Sequence, residues 1–135
     1  MDEGTPKGPG TQAEPTEALL RRYEAWKPQV RTSRGMFDVT TGRHGDTAFI
    51  AVSGELDYSN VDQLDKEIRA AEHSNARRII VSLRDVNYMD SSGLNLLLQA
   101  RVRMRNNPQR LRFLRSDHEA VRQLLDATQT GYALY

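Results

Sequence analysis

The sequence predicts a single α/β domain: a mixed, mostly parallel sheet of four to five strands with helices packed on it, starting with an antiparallel hairpin. Three observations carry this expectation. The 135 residues suit one hydrophobic core, since domains run to roughly 100 to 200 residues. From Ser59 onward, segments with the period of a helix alternate with short apolar runs, the order that builds parallel strands joined by right-handed crossovers. Ahead of that alternation, two strand-like stretches are separated by a bend at Gly45-Asp46, which permits a hairpin.

The elements follow in order. Residues 1–15 hold Gly4, Pro6, Gly8, Pro9, Gly10 and Pro15 and almost no large apolar side chain. Such a segment buries too little surface to offset its ordering entropy and is expected to be a disordered tail. Residues 16–28 place Leu19, Tyr23 and Trp26 at helical spacing before Pro28 stops the run. This is an amphipathic helix, and with Leu20 and Trp26 it is more apolar than solvent requires, so it should dock on something. Residues 29–35 read as a polar linker and residues 36–135 as the domain.

Phe37-Asp38-Val39-Thr40 alternates as a strand, a turn spans Gly42 to Asp46, and Thr47 to Ser53 forms a second strand that Gly54 ends. Ser59-Asn60-Val61-Asp62 has the composition of a helix start, with the Ser59 hydroxyl able to accept from first-turn amides. Val61, Leu64, Ile68 and Ala71 then share one helix face. Arg78 to Leu83 is a β-branched run of the kind covered on both faces. After a loop from Asp85 to Gly93, Leu94, Leu97, Leu98, Val102 and Met104 populate an apolar helix that must end near Asn106-Asn107-Pro108. Leu111 to Leu114 is the next strand, and His118 to Asp126 a helix with Val121, Leu124 and Leu125 inward. Tyr132 to Tyr135 would form a last short strand after Gly131.

Composition removes several function classes. Lys plus Arg total 19 against 18 Asp plus Glu, a net charge of +1, so no bulk attraction to nucleic acid or acidic lipid is implied. The chain has 0 cysteines, which excludes disulfides, thiol nucleophiles and thiolate metal sites. No apolar stretch approaches the roughly 20 residues that span a bilayer, and Met1-Asp2-Glu3-Gly4 lacks the start of a secretory signal. The expected compartment is the cytoplasm. His44, His73 and His118 are scattered, so spacing suggests neither a metal cluster nor a Ser-His-Asp arrangement, and no phosphate-binding glycine loop is present. No catalytic residue, cofactor or metal ligand is expected. Arg101, Arg103, Arg105, Arg110, Arg112, Arg115 and Arg122 face only Asp117 and Glu119 in that stretch. The usual reading of such a run is a solvated face; nucleic-acid binding is a minor alternative, because only Phe113 interleaves the arginines.

In a parallel sheet, function gathers where loops leave the carboxyl ends of the strands. Two segments stand out there: Gly54-Glu55-Leu56-Asp57, and Asp85 through Gly93. Within the second, Asp90-Ser91-Ser92-Gly93 lies where a helix begins, beside free amides and the positive end of the dipole. Its hydroxyls read either as caps or as functional groups. Asp57 reads as a turn former or a contact residue, and Asp90 as a cap or a contact.

Gly54-Glu55-Leu56-Asp57, the Ile79 to Leu83 strand and above all Asp85-Val86-Asn87-Tyr88-Met89-Asp90-Ser91-Ser92-Gly93-Leu94 resemble the STAS domain of bacterial anti-sigma factor antagonists. The likeness runs from about Phe37 to Tyr135. It implies a non-enzymatic, cytoplasmic binding module with a STAS-type sheet. Unphosphorylated, it binds an anti-sigma factor that is also a serine protein kinase and so releases a sigma factor. In that family the kinase phosphorylates the first serine of the pair, here Ser91, and a serine phosphatase restores binding. The resemblance places Asp57, Asp90, Ser91, Ser92 and Gly93 on the partner-binding face. The alternatives are a non-switching STAS subunit of a stress-signalling complex or of a membrane transporter, with Ser91 only a cap, and a hydrolase using Ser91 as nucleophile. One departure stands out. Family members usually carry another helix after the last short strand, whereas here a helix precedes the domain; Leu19, Tyr23 and Trp26 either cover the surface that helix would cover or form a separate docking peptide.

Overall fold

Gly45, at φ 63°, closes a two-residue turn with Asp46 between β1 (Asp38–His44) and β2 (Thr47–Leu56). A tight turn of this kind needs a residue at ease in the left-handed region, which glycine is. The antiparallel register runs from Asp38 opposite Ser53 to His44 opposite Thr47. The turn is therefore shorter than the Gly42 to Asp46 expected, because ladder pairing carries β1 up to His44. The computed structural model describes residues 36–127, together with Ala18, Arg21 and Ala25. The expected tail over 1–15, the linker over 29–35, the strand from Tyr132 to Tyr135 and the side chains of Leu19, Leu20, Tyr23 and Trp26 lie outside the described residues.

After β2 come α1 (Val61–Glu72), β3 (Arg78–Met89), α2 (Ser91–Arg103), a 3₁₀ turn at Pro108–Arg110, β4 (Leu111–Leu114) and α3 (Glu119–Ala127). The sheet is four-stranded in the order β1-β2-β3-β4. β2 pairs parallel with β3, and β3 with β4. The mixed, mostly parallel sheet with its opening hairpin is as the sequence predicts.

Two strands run further than their apolar cores suggest. Gly54 does not end β2: it sits inside the strand at φ 88°, next to a register shift between Gly54 and Glu55. A Cβ there would lie 2.0 Å from the carbonyl oxygen of Met36, so only glycine lets the chain entering β1 cross the strand so closely. β3 continues to Met89, and most of the expected loop from Asp85 is paired strand. A second irregularity, between Ala51 and Ser53, absorbs the mismatch, as a bulge does. Asp90 alone separates β3 from α2.

Side chains alternate across the sheet with the period of two that strands impose. On one face Ile50, Val52, Ile79, Val81, Leu111 and Phe113 join Leu64 and Ile68 of α1, Leu97 and Ala100 of α2, and Val121 and Leu125 of α3 in one buried core. On the other, Phe49, Ala51, Ile80 and Leu114 form a separate buried cluster. Val102, expected inward, is exposed. The buried stripe of α2 is Gly93, Leu96, Leu97 and Ala100, and two residues past Ala100 the helix has turned by about 200°.

Arg101, Arg103, Arg110 and Arg122 are not part of a solvated face, whereas Arg105 and Arg115 are exposed. The Arg110 guanidinium donates from Nε to the Ala76 carbonyl at 3.1 Å and from Nη2 to those of Glu72 at 2.9 Å, Ala71 at 3.3 Å and Ser74 at 3.3 Å. It thereby satisfies the carbonyls of Glu72, Ser74 and Ala76 where α1 ends, and adds to that of Ala71, which already accepts from Ser74. Arg101 donates to the Pro108 and Leu111 carbonyls at 2.9 and 2.8 Å and lies 5.4 Å from the Phe113 ring centroid. Burial, and then the charge of Arg112, hold its pKa below the ordinary arginine value. Arg103 pairs with Glu72 at 3.0 Å, and Arg122 donates to the Ser116 carbonyl at 3.0 Å.

Candidate partner-binding site

The carboxyl ends of β2 and β3 are tied together where α2 begins, for the Asp90 N–H donates to the Leu56 carbonyl at 3.2 Å. Asp90 is the N-cap of α2. Its Oδ1 accepts from the amides of Ser92 at 2.9 Å and Gly93 at 3.2 Å, while Oδ2 accepts from the Tyr58 amide at 3.3 Å. One carboxylate thus starts the helix and holds the preceding turn.

Because Asp90 supplies the cap, the serines do not. Ser91 is the first residue of α2 and is exposed, so its hydroxyl stands in solvent at the positive end of a 13-residue helix. Ser92 is half-buried and Gly93 buried. A Cβ on Gly93 would meet Met89 Cγ at 2.8 Å and the Leu56 side chain at 3.0 Å. Gly93 therefore lets the helix sit against the ends of β2 and β3. This close approach gives it a packing role, not the surface contact expected of it.

Asp57 follows β2 directly and is half-buried. Its Oδ1 accepts from the Ser59 amide at 3.0 Å and hydroxyl at 2.6 Å, and its carbonyl accepts from the amides of Asn60 and Val61, both at 3.0 Å. The Asn60 side chain completes the turn, accepting from the Asp57 amide at 3.0 Å and donating to the Glu55 carbonyl at 2.8 Å. Ser59 does not cap α1: Asn60 holds the N-cap position without a side-chain cap bond, and the Ser59 hydroxyl donates to Asp57. Asp57 is a turn former, and the same turn holds it at the edge where Asp90 and Ser91 lie.

Two residues escaped the sequence reading. Tyr58, at the tip of this turn, is 78% exposed, and Tyr88, opposite Glu55 in the β2–β3 register, is 50% exposed. The signal for Tyr58 was an aromatic residue between an aspartate and a serine in a turn. That for Tyr88 was hidden, since its outward direction follows from the extended β3 alone. The edge thus offers two aspartates, an exposed serine hydroxyl and two tyrosines, a type enriched in protein interfaces.

Among the described residues, no group of three or more His, Asp or Glu side chains could hold a metal ion. His44, His73 and His118 are exposed. No described helix is long and apolar enough to cross a membrane.

Comparison with known proteins bears on the family and the fold. The family model for the STAS domain matches residues 38–131. An anti-sigma-B factor antagonist from Staphylococcus epidermidis is 29% identical over 91 residues, which cover 67% of this chain and 83% of that protein. Among solved structures, an anti-sigma factor antagonist from Mycobacterium paratuberculosis superposes with a TM-score of 0.67 at 17% identity, over 77% of this chain and 87% of the other, a likeness of fold. The phosphorylated form of the Bacillus cell fate determinant SpoIIAA gives a TM-score of 0.55 at 25% identity, over 74% of this chain and 89% of that one.

Proposed function

The chain belongs to the STAS domain family, and we propose that within it this protein is an anti-sigma factor antagonist switched by phosphorylation of Ser91. It is a regulatory binding protein and not an enzyme. Unphosphorylated, it binds a cytoplasmic anti-sigma factor that is also a serine kinase, and the sigma factor is released. The observation that carries this reading is Ser91 itself: an exposed hydroxyl on the first residue of a helix whose cap is already made by Asp90.

The chemistry follows from that position. The Ser91 Oγ attacks the γ-phosphorus of ATP in the kinase, ADP leaves, and the hydroxyl proton passes to a base of the kinase. The new group carries about −1.5 to −2 charges at neutral pH. Helix-terminal amides tolerate that charge, so the domain keeps its fold. A partner surface shaped for a neutral hydroxyl instead meets a dianion beside Asp57 and Asp90. A serine phosphatase reverses the step by hydrolysis. On this reading Asp57, Tyr58, Tyr88, Asp90, Ser91 and Ser92 form the contact edge.

Incubation with an anti-sigma factor kinase and ATP, followed by mass spectrometric mapping, tests the switch. Phosphate is expected on Ser91, none is expected in Ser91→Ala, and that variant should bind the kinase whether or not ATP is present. Phosphate on Ser92 would sink the assignment to Ser91, and an unmodified chain that still binds would sink the switch and favour a non-switching STAS subunit.

A further inference from the structure

The second face of the sheet is closed, although α1, α2 and α3 all lie on the first. Phe49 and Ile80 are 0% exposed, and Ala51 and Leu114 are buried with them, in a cluster to which no described helix contributes a side chain. Thr40 and Gly42 of β1 stand on this same face, since they pair with Ala51 and Phe49. A sheet face of that composition is buried only if another part of the chain lies on it.

We propose that the occupant is the segment 16–28 of the same chain, laid across the second face with Leu19, Tyr23 and Trp26 toward Phe49 and Ile80. Ala18, Arg21 and Ala25 are helical, Ala18 half-buried and Arg21 and Ala25 exposed. At about 100° per residue these three positions lie on one side of a helix. Helical periodicity then sets Leu19 and Tyr23 on the other side, with Trp26 at its margin. The solvent-facing side is thus occupied by small or charged residues, and the apolar stripe points away from water.

Chain length permits the placement. Met36 and Phe37 cross β2 at Gly54, so the residues between Pro28 and Met36 start from the carboxyl end of that strand. The eight Cα-to-Cα steps from Pro28 to Met36 reach about 26 Å. Crossing the sheet needs about 14 Å, with strands about 4.8 Å apart. The rival cover is the segment beyond Ala127, whose large apolar side chains are Tyr132, Leu134 and Tyr135.

The chain has 1 tryptophan and 0 cysteines, so the intact protein carries its own reporter. Trp26 emission in the native chain should be shifted to the blue by about 10 nm or more relative to the chain in guanidinium, with several-fold weaker acrylamide quenching. A nitroxide on Thr40→Cys, at the rim of the second face, should quench Trp26. The same label on Ala70→Cys, exposed on α1 of the other layer, should not. Native emission at the unfolded position would overturn the proposal and leave the C-terminal residues as the cover. Protection that disappears on dilution would also overturn it, in favour of a second copy.

Discussion

The carboxylate of Asp90 accepts the Tyr58 N–H at 3.3 Å, joining two residues 32 positions apart. Its other oxygen caps α2, so the turn that carries Asp57 and the helix that carries Ser91 share one anchor. Asp90→Ala should cost about 1 to 2 kcal/mol, a lost cap plus a lost hydrogen bond. Asp90→Asn, still an acceptor and a good cap, should cost a few tenths. Amide hydrogen exchange reads the coupling. Tyr58, Ser92 and Gly93 should all exchange faster in the alanine variant, and acceleration of the helix amides alone would show that the turn stands without Asp90.

Asp57 has two tasks that one substitution confounds. Asp57→Ala removes the acceptor for the Ser59 amide and hydroxyl, so it should lower stability by about 1 kcal/mol as well as weaken kinase binding. Asp57→Asn keeps an acceptor and loses only the charge. Its melting temperature should stay near that of the parent while affinity in a titration falls. Equal affinity of the asparagine variant would reduce Asp57 to a turn residue.

Tyr58 and Tyr88 flank the site and their exposed rings support no core. Tyr58→Ala or Tyr88→Ala should leave the melting temperature unchanged. Each should weaken kinase binding about tenfold or more, the scale on which central aromatic side chains act in interfaces. Unchanged affinity in both would remove the tyrosines from the contact edge.

The alternation of Val61 to Ala71 with Ile79 to Leu83 made the parallel sheet legible, because helix and strand periods are written in single side chains. The site's chemistry was legible only in part. Asp90-Ser91-Ser92-Gly93 pointed to a helix start, but which side chain caps it depends on Asp90 also reaching Tyr58, a contact between segments far apart in sequence. Gly54 read as a strand end for a similar reason: its neighbour Met36 arrives from another part of the chain. The arginines misled because charge alone does not reveal that carbonyls at the end of α1 await donors.

Gly93 tests the packing beneath the site. Gly93→Ala puts a methyl group 2.8 Å from Met89 Cγ and 3.0 Å from Leu56, and such overpacking costs about 1 to 3 kcal/mol. Met89 has freedom to move, so the alanine variant should fold with a lowered urea midpoint. Gly93→Val, with two more carbon atoms in the same gap, should be markedly less stable. If both variants melt with the parent, α2 is not held against the strand ends as described.

Arg110 ties the end of α1 to the start of β4, with one guanidinium meeting the carbonyls of Ala71, Glu72, Ser74 and Ala76. Arg110→Met keeps most of the apolar stem and removes every donor, leaving partly buried acceptors short of partners. The expected loss is about 2 to 3 kcal/mol, the range for hydrogen bonds to a charged group. Arg110→Lys tests geometry against charge. A single ammonium cannot spread along four carbonyls as a planar fork does, so lysine should restore less than half of the loss. Urea denaturation separates these outcomes: full rescue by lysine would mean that the helix end needs a positive charge and not a fork, and an unchanged midpoint in Arg110→Met would mean that water satisfies the carbonyls equally well.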